Sequence, residues 1–277
     1  MAQQLVHGID FSGNEKMWRR GCGRSNVWIA TAEWDANNLA LVALRRVQEL
    51  PGKDHPFARL VHLLANSDYL AAAIDAPFAL PALHMPKGGL PALLKAVLAF
   101  ETENRPFAKA EQLVRYAESI KPKEENKPMR TTENVWRQLR VNVRSTLWGR
   151  DKREPRGGAA FATACLTLLA NAKRPVWPWA KAGPGLLVEA FPAAQLRCWG
   201  LPHDGYDGNE TKRDEILEGI KERINLPETF RSKCRSSADA LDAVLCLFAA
   251  VAAVSGVAPC EDSGSWKREG WIAVHPL

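Results

Sequence analysis

The sequence lacks paired cysteines and the short motifs of several enzyme classes. Its six cysteines are scattered, and no two of them stand as Cys-x-x-Cys. We therefore predict neither a disulfide framework nor a zinc site. The sequence contains no HExxH, P-loop or GxSxG motif, and its six histidines are dispersed. These absences argue against a zinc protease, a P-loop NTPase and a serine hydrolase.

Long apolar runs are also missing. No run reaches the length of a bilayer-spanning helix, and the first ten residues lack the basic and apolar regions of a secretion signal. The chain has 277 residues, of which 46% are hydrophobic and 25% charged, as in ordinary globular proteins. We expect a soluble cytoplasmic protein with no membrane partner, built as a single domain over residues 1–277.

Positive charge is concentrated in one segment. Residues 121–156 contain 11 Lys or Arg and 5 Asp or Glu, an excess that equals the net charge of +6 of the whole chain. Such a segment favours a polyanion partner, although a solvated helical surface has the same composition. Trp136 and Trp148 lie within it and either stack on bases or pack between helices. The candidate nucleic-acid-binding residues are Lys121, Lys123, Lys127, Arg130, Arg137, Arg140, Arg144, Arg150, Lys152, Arg153 and Arg156.

Hydrophobic periodicity predicts an α/β protein. Alternating or continuous apolar runs predict strands over residues 5–10, 25–34, 38–47, 70–75, 185–192 and 269–276. Short connections join the first three strands, which predicts an antiparallel meander. Helical spacing predicts helices over residues 56–67, 90–101, 110–120, 132–148, 161–173, 211–224 and 237–256. The helices between about 85 and 157 are expected to form an insertion within the sheet domain.

Acidic residues follow three of the apolar strands. Asp10, Asp75 and Glu189 each lie near the carboxyl end of a predicted strand, where sites form in open α/β sheets. Asp239 and Asp242 are three residues apart on one face of the apolar helix 237–256. Simpler roles exist: Asp10 and Asp75 can stabilise turns, Glu189 can face solvent, and Asp239 can complete a capping box. Asp242 has no comparable alternative.

Converging carboxylates require neutralisation. Two like charges 4 Å apart repel by about 4 kcal/mol at an effective dielectric constant near 20. Protons or cations must therefore compensate them, and sites made only of oxygen ligands suit Mg²⁺ or Mn²⁺. Two such ions about 4 Å apart can orient a water and stabilise a phosphoryl displacement.

The order of these acids resembles that of the RNase H-like superfamily. More closely, the chain resembles the predicted RNase H-like nucleases catalogued as a domain of unknown function, number 429. The matching segments run in the order of that family from the first to the last strand: GID (8–10), IDAPFALP (74–81), VEAFPAAQL (188–196), SADALDAVLCLFAA (237–250) and EGWIAVHP (269–276). The resemblance leaves about 85–157 uncovered. It implies a mixed five-stranded sheet flanked by helices, with a helical insertion.

The resemblance also implies roles for the acids. Asp10, Asp75, Glu189 and Asp242 are the implied catalytic and metal-binding residues, with Asp239 behind them. Glu269 lies in the closing segment and is expected to be a surface acid. The third segment departs from the Glu-Val-His-Pro-Glu of the family, because this chain has EAFPA at 189–193. Any role of that His and of the second Glu is lost or has moved.

The leading hypothesis is a nuclease that hydrolyses DNA or RNA with two Mg²⁺ or Mn²⁺ ions. Two alternatives stay open at this point. The loop GIDFSGN could handle phosphate in an ATP phosphotransferase of the actin and sugar-kinase type, which shares this topology. The chain could also be a non-catalytic nucleic-acid-binding module that keeps the fold.

Overall fold

A mixed five-stranded sheet forms the centre of the protein. The structure, a computed structural model, describes residues 4–35, 38–122, 128–147, 158–260 and 264–276. The strands are β1 (Gln4–Asp10), β2 (Trp28–Trp34), β3 (Leu39–Arg46), β4 (Ala71–Asp75) and β5 (Leu186–Glu189). Their order is β3-β2-β1-β4-β5, with β1, β2 and β3 antiparallel and with β4 and β5 parallel to β1. The predicted α/β class with a mixed five-stranded sheet is confirmed, and the sheet is open.

Ten α-helices accompany the sheet in the described part of the chain. They are α1 (Pro56–Asn66), α2 (Gly89–Leu98), α3 (Ala110–Ile120), α4 (Thr131–Gln138), α5 (Gly158–Ala172), α6 (Pro192–Cys198), α7 (Glu210–Gly219), α8 (Glu228–Ser236), α9 (Ala238–Val254) and α10 (Trp266–Glu269). Taken singly, none of these helices combines the length and apolar character needed to cross a membrane, and only the bent pair of α8 and α9 meets that test together.

The sheet is buried on both faces, which explains the continuous apolar runs of its central strands. Side chains alternate between the two faces of a strand. Val6, Ala73 and Val188 therefore lie in the core on the α9 side of the sheet. Ile9 and Ile74 lie in the second core, on the side of α1 and α5.

Gly8 sets the distance between β1 and α9. A Cβ atom at this position would lie 2.1 Å from the carbonyl oxygen of Ala243 and 2.7 Å from the amide nitrogen of Leu247. Only glycine fits such a close backbone approach. The close packing brings the first turns of α9 to the carboxyl end of β1.

Two predicted elements differ from the structure. The helix expected over 132–148 ends at Gln138, because Arg140 adopts a left-handed conformation (φ 63°) and the amide of Val141 returns to the carbonyl of Trp136. That pattern is a Schellman helix end, and the two valines at 141 and 143 disfavour continuation of the helix. In place of the closing strand expected over 269–276, α10 ends at Glu269 and residues 270–276 are irregular, with a hydrogen bond from the amide of Ala273 to the carbonyl of Glu189.

Candidate metal centre

Asp10 and Asp75 meet because their strands are parallel neighbours. The two residues are direct partners in the register of β1 and β4, at the last position of each strand. Residues that are partners across a ladder point to the same face. Both side chains therefore lie on the face that α9 covers.

α9 supplies the third carboxylate. The helix begins after Ser237, whose hydroxyl accepts a hydrogen bond from the amide of Ala240. Asp242 follows one turn later and faces the ends of β1 and β4. One carboxylate oxygen from each of Asp10, Asp75 and Asp242 lies within 4.8 Å of the other two. We call these three residues the acidic triad.

The electrostatics of the acidic triad are unfavourable without a cation or protons. Asp10 is 7% exposed, and burial together with the charges of Asp242, Asp239 and Asp75 raises its pKa. Burial and the charge of Glu189 raise the pKa of Asp75 to about 7. Burial and the charge of Asp75 raise the pKa of Asp242, although a hydrogen bond from Tyr206 opposes this. The oxygen-only donor set and the crowded negative charge both fit a hard divalent cation, so the triad can hold a metal ion.

Tyr206 holds the carboxylate of Asp242. Its hydroxyl donates to Oδ1 of Asp242 at 2.7 Å, and the tyrosine is 8% exposed. Arg213 fixes the backbone of this loop by donating to the carbonyls of Tyr206, Asp207 and Arg235. Sequence reasoning missed Tyr206, because a single tyrosine in a polar loop carries no periodic or motif signal.

Asp239 lies beside the acidic triad and is not part of it. It is half-buried in the first turn of α9, and burial raises its pKa while Arg46 lowers it. The capping box expected between Ser236 and Asp239 is not formed, because Ser237 is the residue that caps the helix. Asp239 still lies close enough to raise the pKa of Asp10 and of Asp242.

Glu189 faces the opposite side of the sheet from the acidic triad. Its partner in β4 is Ile74, one residue before Asp75, so its side chain points to the α5 side. Both of its carboxylate oxygens accept from Arg130, at 2.5 and 2.7 Å, and Oε2 also accepts from the amide of Phe78. The structure thus engages Glu189 in an internal ion pair and not with Asp10 or Asp242.

Arg130 is an interior residue, contrary to the expectation that it contacts nucleic-acid phosphates. It is 1% exposed and pairs with Glu133 at 2.8 Å in addition to Glu189. Burial alone would lower the pKa of Arg130, but the two carboxylates outweigh it and raise the pKa. The guanidinium of Arg130 is therefore engaged in an internal ion-pair network.

Glu269 is likewise buried, at 2% exposure, and not the expected surface acid. Its carboxylate accepts from the amides of Ala82 and Thr131, at 2.9 and 2.5 Å. We call Arg130, Glu133, Glu189 and Glu269 the Arg130 network. It ties the predicted insertion to β5 and to the closing segment. Sequence spacing gave no sign of it, because Glu189 and Glu269 are far from Arg130 in the chain.

The other basic candidates fall into two groups. Among the described ones, Lys121 is half-buried, whereas Arg137, Arg140 and Arg144 are exposed. The remaining candidates lie outside the described residues; they are Lys123, Lys127, Arg150, Lys152, Arg153 and Arg156. Trp148 also lies outside the described residues. Trp136 is 7% exposed and packs against Val141, Ala194 and Ile272, as in the packing alternative.

A pocket of about 230 Å³ opens beside Asp75, between the ends of β4 and β5 and the start of α5. Its lining includes the polar residues Asp75, Arg130 and Glu189 and the aromatic residues Phe161 and Phe191. The pocket therefore connects the acidic triad with the Arg130 network.

Comparison with known proteins identifies a family. The model of the family described as "Protein of unknown function (DUF429)" matches residues 8–263. That range contains the acidic triad and excludes the closing segment 269–276. No curated protein and no solved structure matches the chain significantly. Since the family model covers most of its length, the chain belongs to the family described as "Protein of unknown function (DUF429)".

Proposed function

We propose that this protein is a divalent-metal-dependent nuclease with an RNase H-like fold, which hydrolyses phosphodiester bonds in DNA or RNA. The observation that carries the proposal is the convergence of Asp10, Asp75 and Asp242, whose carboxylate oxygens lie within 4.8 Å of one another. Three acids so close together are unfavourable in a metal-free fold, and their geometry suits hard cations.

The strand order supports the RNase H-like part of the proposal. The meander of β1, β2 and β3, the parallel addition of β4 and β5, and the late helix α9 reproduce the order that the sequence resemblance implies. The acids stand on the first strand, the fourth strand and α9, again in that order.

Each residue has a separate part in the proposed reaction. Asp10 and Asp75, at the ends of adjacent strands, would hold the ions together with Asp242 from α9. Tyr206 orients Asp242 through its hydrogen bond. Mg²⁺ or Mn²⁺, expected as a pair, supplies activation of the attacking water and stabilisation of negative charge at the phosphate. In the proposed nuclease Glu189 supports the site from the other face through the Arg130 network.

A nuclease assay tests the proposal. Purified protein is incubated with labelled single-stranded and double-stranded DNA and RNA, with Mg²⁺, Mn²⁺ or EDTA. Asp75→Asn is compared with Asp68→Asn, which changes an exposed aspartate just before β4. We expect metal-dependent cleavage by the wild type and by Asp68→Asn, and none by Asp75→Asn.

Metal binding is measured in parallel from the thermal unfolding midpoint with and without Mn²⁺. One alternative outcome is a Mn²⁺-dependent shift of the unfolding midpoint that Asp75→Asn removes, with tight nucleic-acid binding but no cleavage. This outcome would favour a non-catalytic nucleic-acid-binding module over a nuclease. A protein without cleavage, metal-dependent shift or nucleic-acid binding contradicts the proposal. ATP turnover in that case would favour the phosphotransferase alternative.

A further inference from the structure

The edge of the sheet that carries the acidic triad continues into a basic surface on the β3 side. Asp10 is the partner of Trp28 across β1 and β2, and Trp28 is the partner of Arg46 across β2 and β3. The three side chains therefore form a row on the α9 face of the sheet. Arg46 is also near enough to Asp239 to lower the pKa of that acid.

The loops around this row are rich in cations. Residues 11–27 and 45–59 contain eight Lys or Arg and three Asp or Glu. Five of the cations are exposed and three half-buried. They form the basic surface: Lys16, Arg19, Arg20, Arg24, Arg45, Arg46, Lys53 and Arg59.

Hydrogen bonds join the two loops into one surface. Arg46 donates to the carbonyl of Gly23 at 2.7 Å, and Arg20 donates to the carbonyl of Lys53. The side-chain amide of Gln48 donates to the carbonyl of Met17 at 2.7 Å. The cations therefore lie together even though residues 28–44 separate the two loops in the chain.

The charges of the basic surface are not neutralised from within the described chain. Among described residues, none of its eight cations makes an ion pair with a carboxylate. One of its three acids, Glu15, pairs instead with Arg105 at 2.7 Å. Elsewhere, cations such as Lys109 and Arg235 have carboxylate partners. Carbonyl partners fix the position of a guanidinium without cancelling its charge.

Buried donors without partners concentrate in the same place. In the described residues, eight buried side-chain nitrogen or oxygen atoms lack a hydrogen-bond partner, and six of them belong to residues between 26 and 59. Four of the six are N–H donors: Nε1 of Trp28 and Nε of Arg45, Arg46 and Arg59. An unsatisfied buried donor is costly, and three of these four donors belong to cations of the basic surface.

We propose that a nucleic-acid strand bound at the acidic triad runs across the ends of β1, β2 and β3, with Arg20, Arg24 and Arg46 contacting its phosphates. The proposal rests on the nuclease function and names the path of the substrate. The negatively charged triad needs cations to receive one phosphate, and the basic surface then receives the next phosphates directly. This path differs from the segment 121–156, in which Arg130 is buried.

Binding assays in EDTA test the contacts of the basic surface separately from the metal-dependent contact at the acidic triad and from catalysis. The fluorescence anisotropy of labelled DNA and RNA oligonucleotides is followed over a salt series for three double variants. Arg20→Ala/Arg24→Ala removes two exposed charges of the basic surface, and Arg137→Ala/Arg144→Ala removes two from the alternative segment. Lys95→Ala/Arg115→Ala, on α2 and α3, controls for net charge alone.

We expect Arg20→Ala/Arg24→Ala to weaken binding and to reduce the slope of log Kd against log salt by about two, roughly one for each lost phosphate contact. The other two double variants should keep the slope of the wild type. Arg24→Glu, a reversal at an exposed site, should weaken binding further, with an unchanged unfolding midpoint as the check on folding.

The failures are distinguishable. An unchanged slope in Arg20→Ala/Arg24→Ala, or a reduced slope only in Arg137→Ala/Arg144→Ala, overturns the path while metal-dependent cleavage by the wild type still supports the nuclease. A wild type that neither binds nor cleaves nucleic acid overturns both. Equal losses in all three double variants would show a general effect of net charge and also overturn the path.

Discussion

The acids on the two faces of the sheet differ in whether their charges have partners within the protein. On the α5 side, the Arg130 network gives Glu133 and Glu189 a shared guanidinium and gives Glu269 two backbone amides. On the α9 side, Asp10, Asp75 and Asp242 crowd together, and within the described residues the hydroxyl of Tyr206 is the side-chain donor that contacts them. The first arrangement is neutralised within the protein, whereas the second requires bound protons or a cation.

This difference separates a structural role from a functional one. A buried charge with its partners in place holds elements of the fold together, and removing one partner exposes a large penalty. Buried like charges without a partner reduce the stability of the metal-free fold. The acidic triad on the α9 side is therefore the group of described residues that could hold a metal ion.

The largest expected effect is on the α5 side. Arg130→Met leaves Glu189 and Glu133 buried without a counter-charge, so we expect the free energy of unfolding to fall by about 3–5 kcal/mol. Urea denaturation measures the change. The control is Arg105→Met, which breaks the more exposed pair with Glu15 and should cost about 1 kcal/mol or less. Equal effects of the two substitutions would contradict the structural role of Arg130.

The next effect is the pH dependence contributed by Asp75. Its pKa is about 7 in the folded protein and about 4 in an unfolded chain. Between these values the folded protein binds a proton that the unfolded chain releases, so Asp75 lowers the free energy of unfolding as pH rises. Relative to Asp75→Asn, the metal-free wild type should lose up to about 4 kcal/mol between pH 4 and pH 7.

Denaturation at several pH values, in EDTA and in Mn²⁺, measures this loss. Groups that do not interact with Asp75 cancel in the comparison, including His7, whose pKa burial lowers to about 4. Asp10 and Asp242 do not cancel, because the charge of Asp75 raises their pKa values in the wild type alone, which adds to the loss. Mn²⁺ should remove the loss in the wild type, because the ionised carboxylate is then the favoured form. Parallel pH curves for wild type and Asp75→Asn would show that the acidic triad is not strained.

The smallest effect concerns Tyr206. Tyr206→Phe removes the hydroxyl that donates to Asp242 and leaves the ring in place. We expect Mn²⁺ affinity to weaken by about tenfold, or about 1.4 kcal/mol, with little change in the unfolding midpoint without metal. Calorimetric titration with Mn²⁺ measures the affinity, and Tyr116→Phe on α3 is the matched control. An unchanged affinity would mean that Asp242 is held by its helix alone.

Much of the fold was predictable, because local patterns determine it. Apolar runs that end at a turn residue predicted β1 and β4 together with the acids Asp10 and Asp75 at their ends. The apolar helix predicted over 237–256 appears as α9, with Asp242 near its start. The helix expected over 132–148 was predicted too long. It ends early because Arg140 adopts a left-handed conformation, and a helix end without glycine has no clear signal in the sequence.

For the acidic triad and the Arg130 network, too, the sequence predicts some features and only the tertiary structure determines the others. The sequence by itself determined that acids stand at the ends of β1, β4 and β5, because strand length and turn residues are local properties. Only the tertiary structure decided which acids meet: a register that pairs Glu189 with Ile74 sends this residue to the opposite face from Asp75. The partners of Glu189 and Asp242 are Arg130, 59 residues away, and Tyr206, 36 residues away. Contacts at such separations follow from packing, which no local pattern encodes.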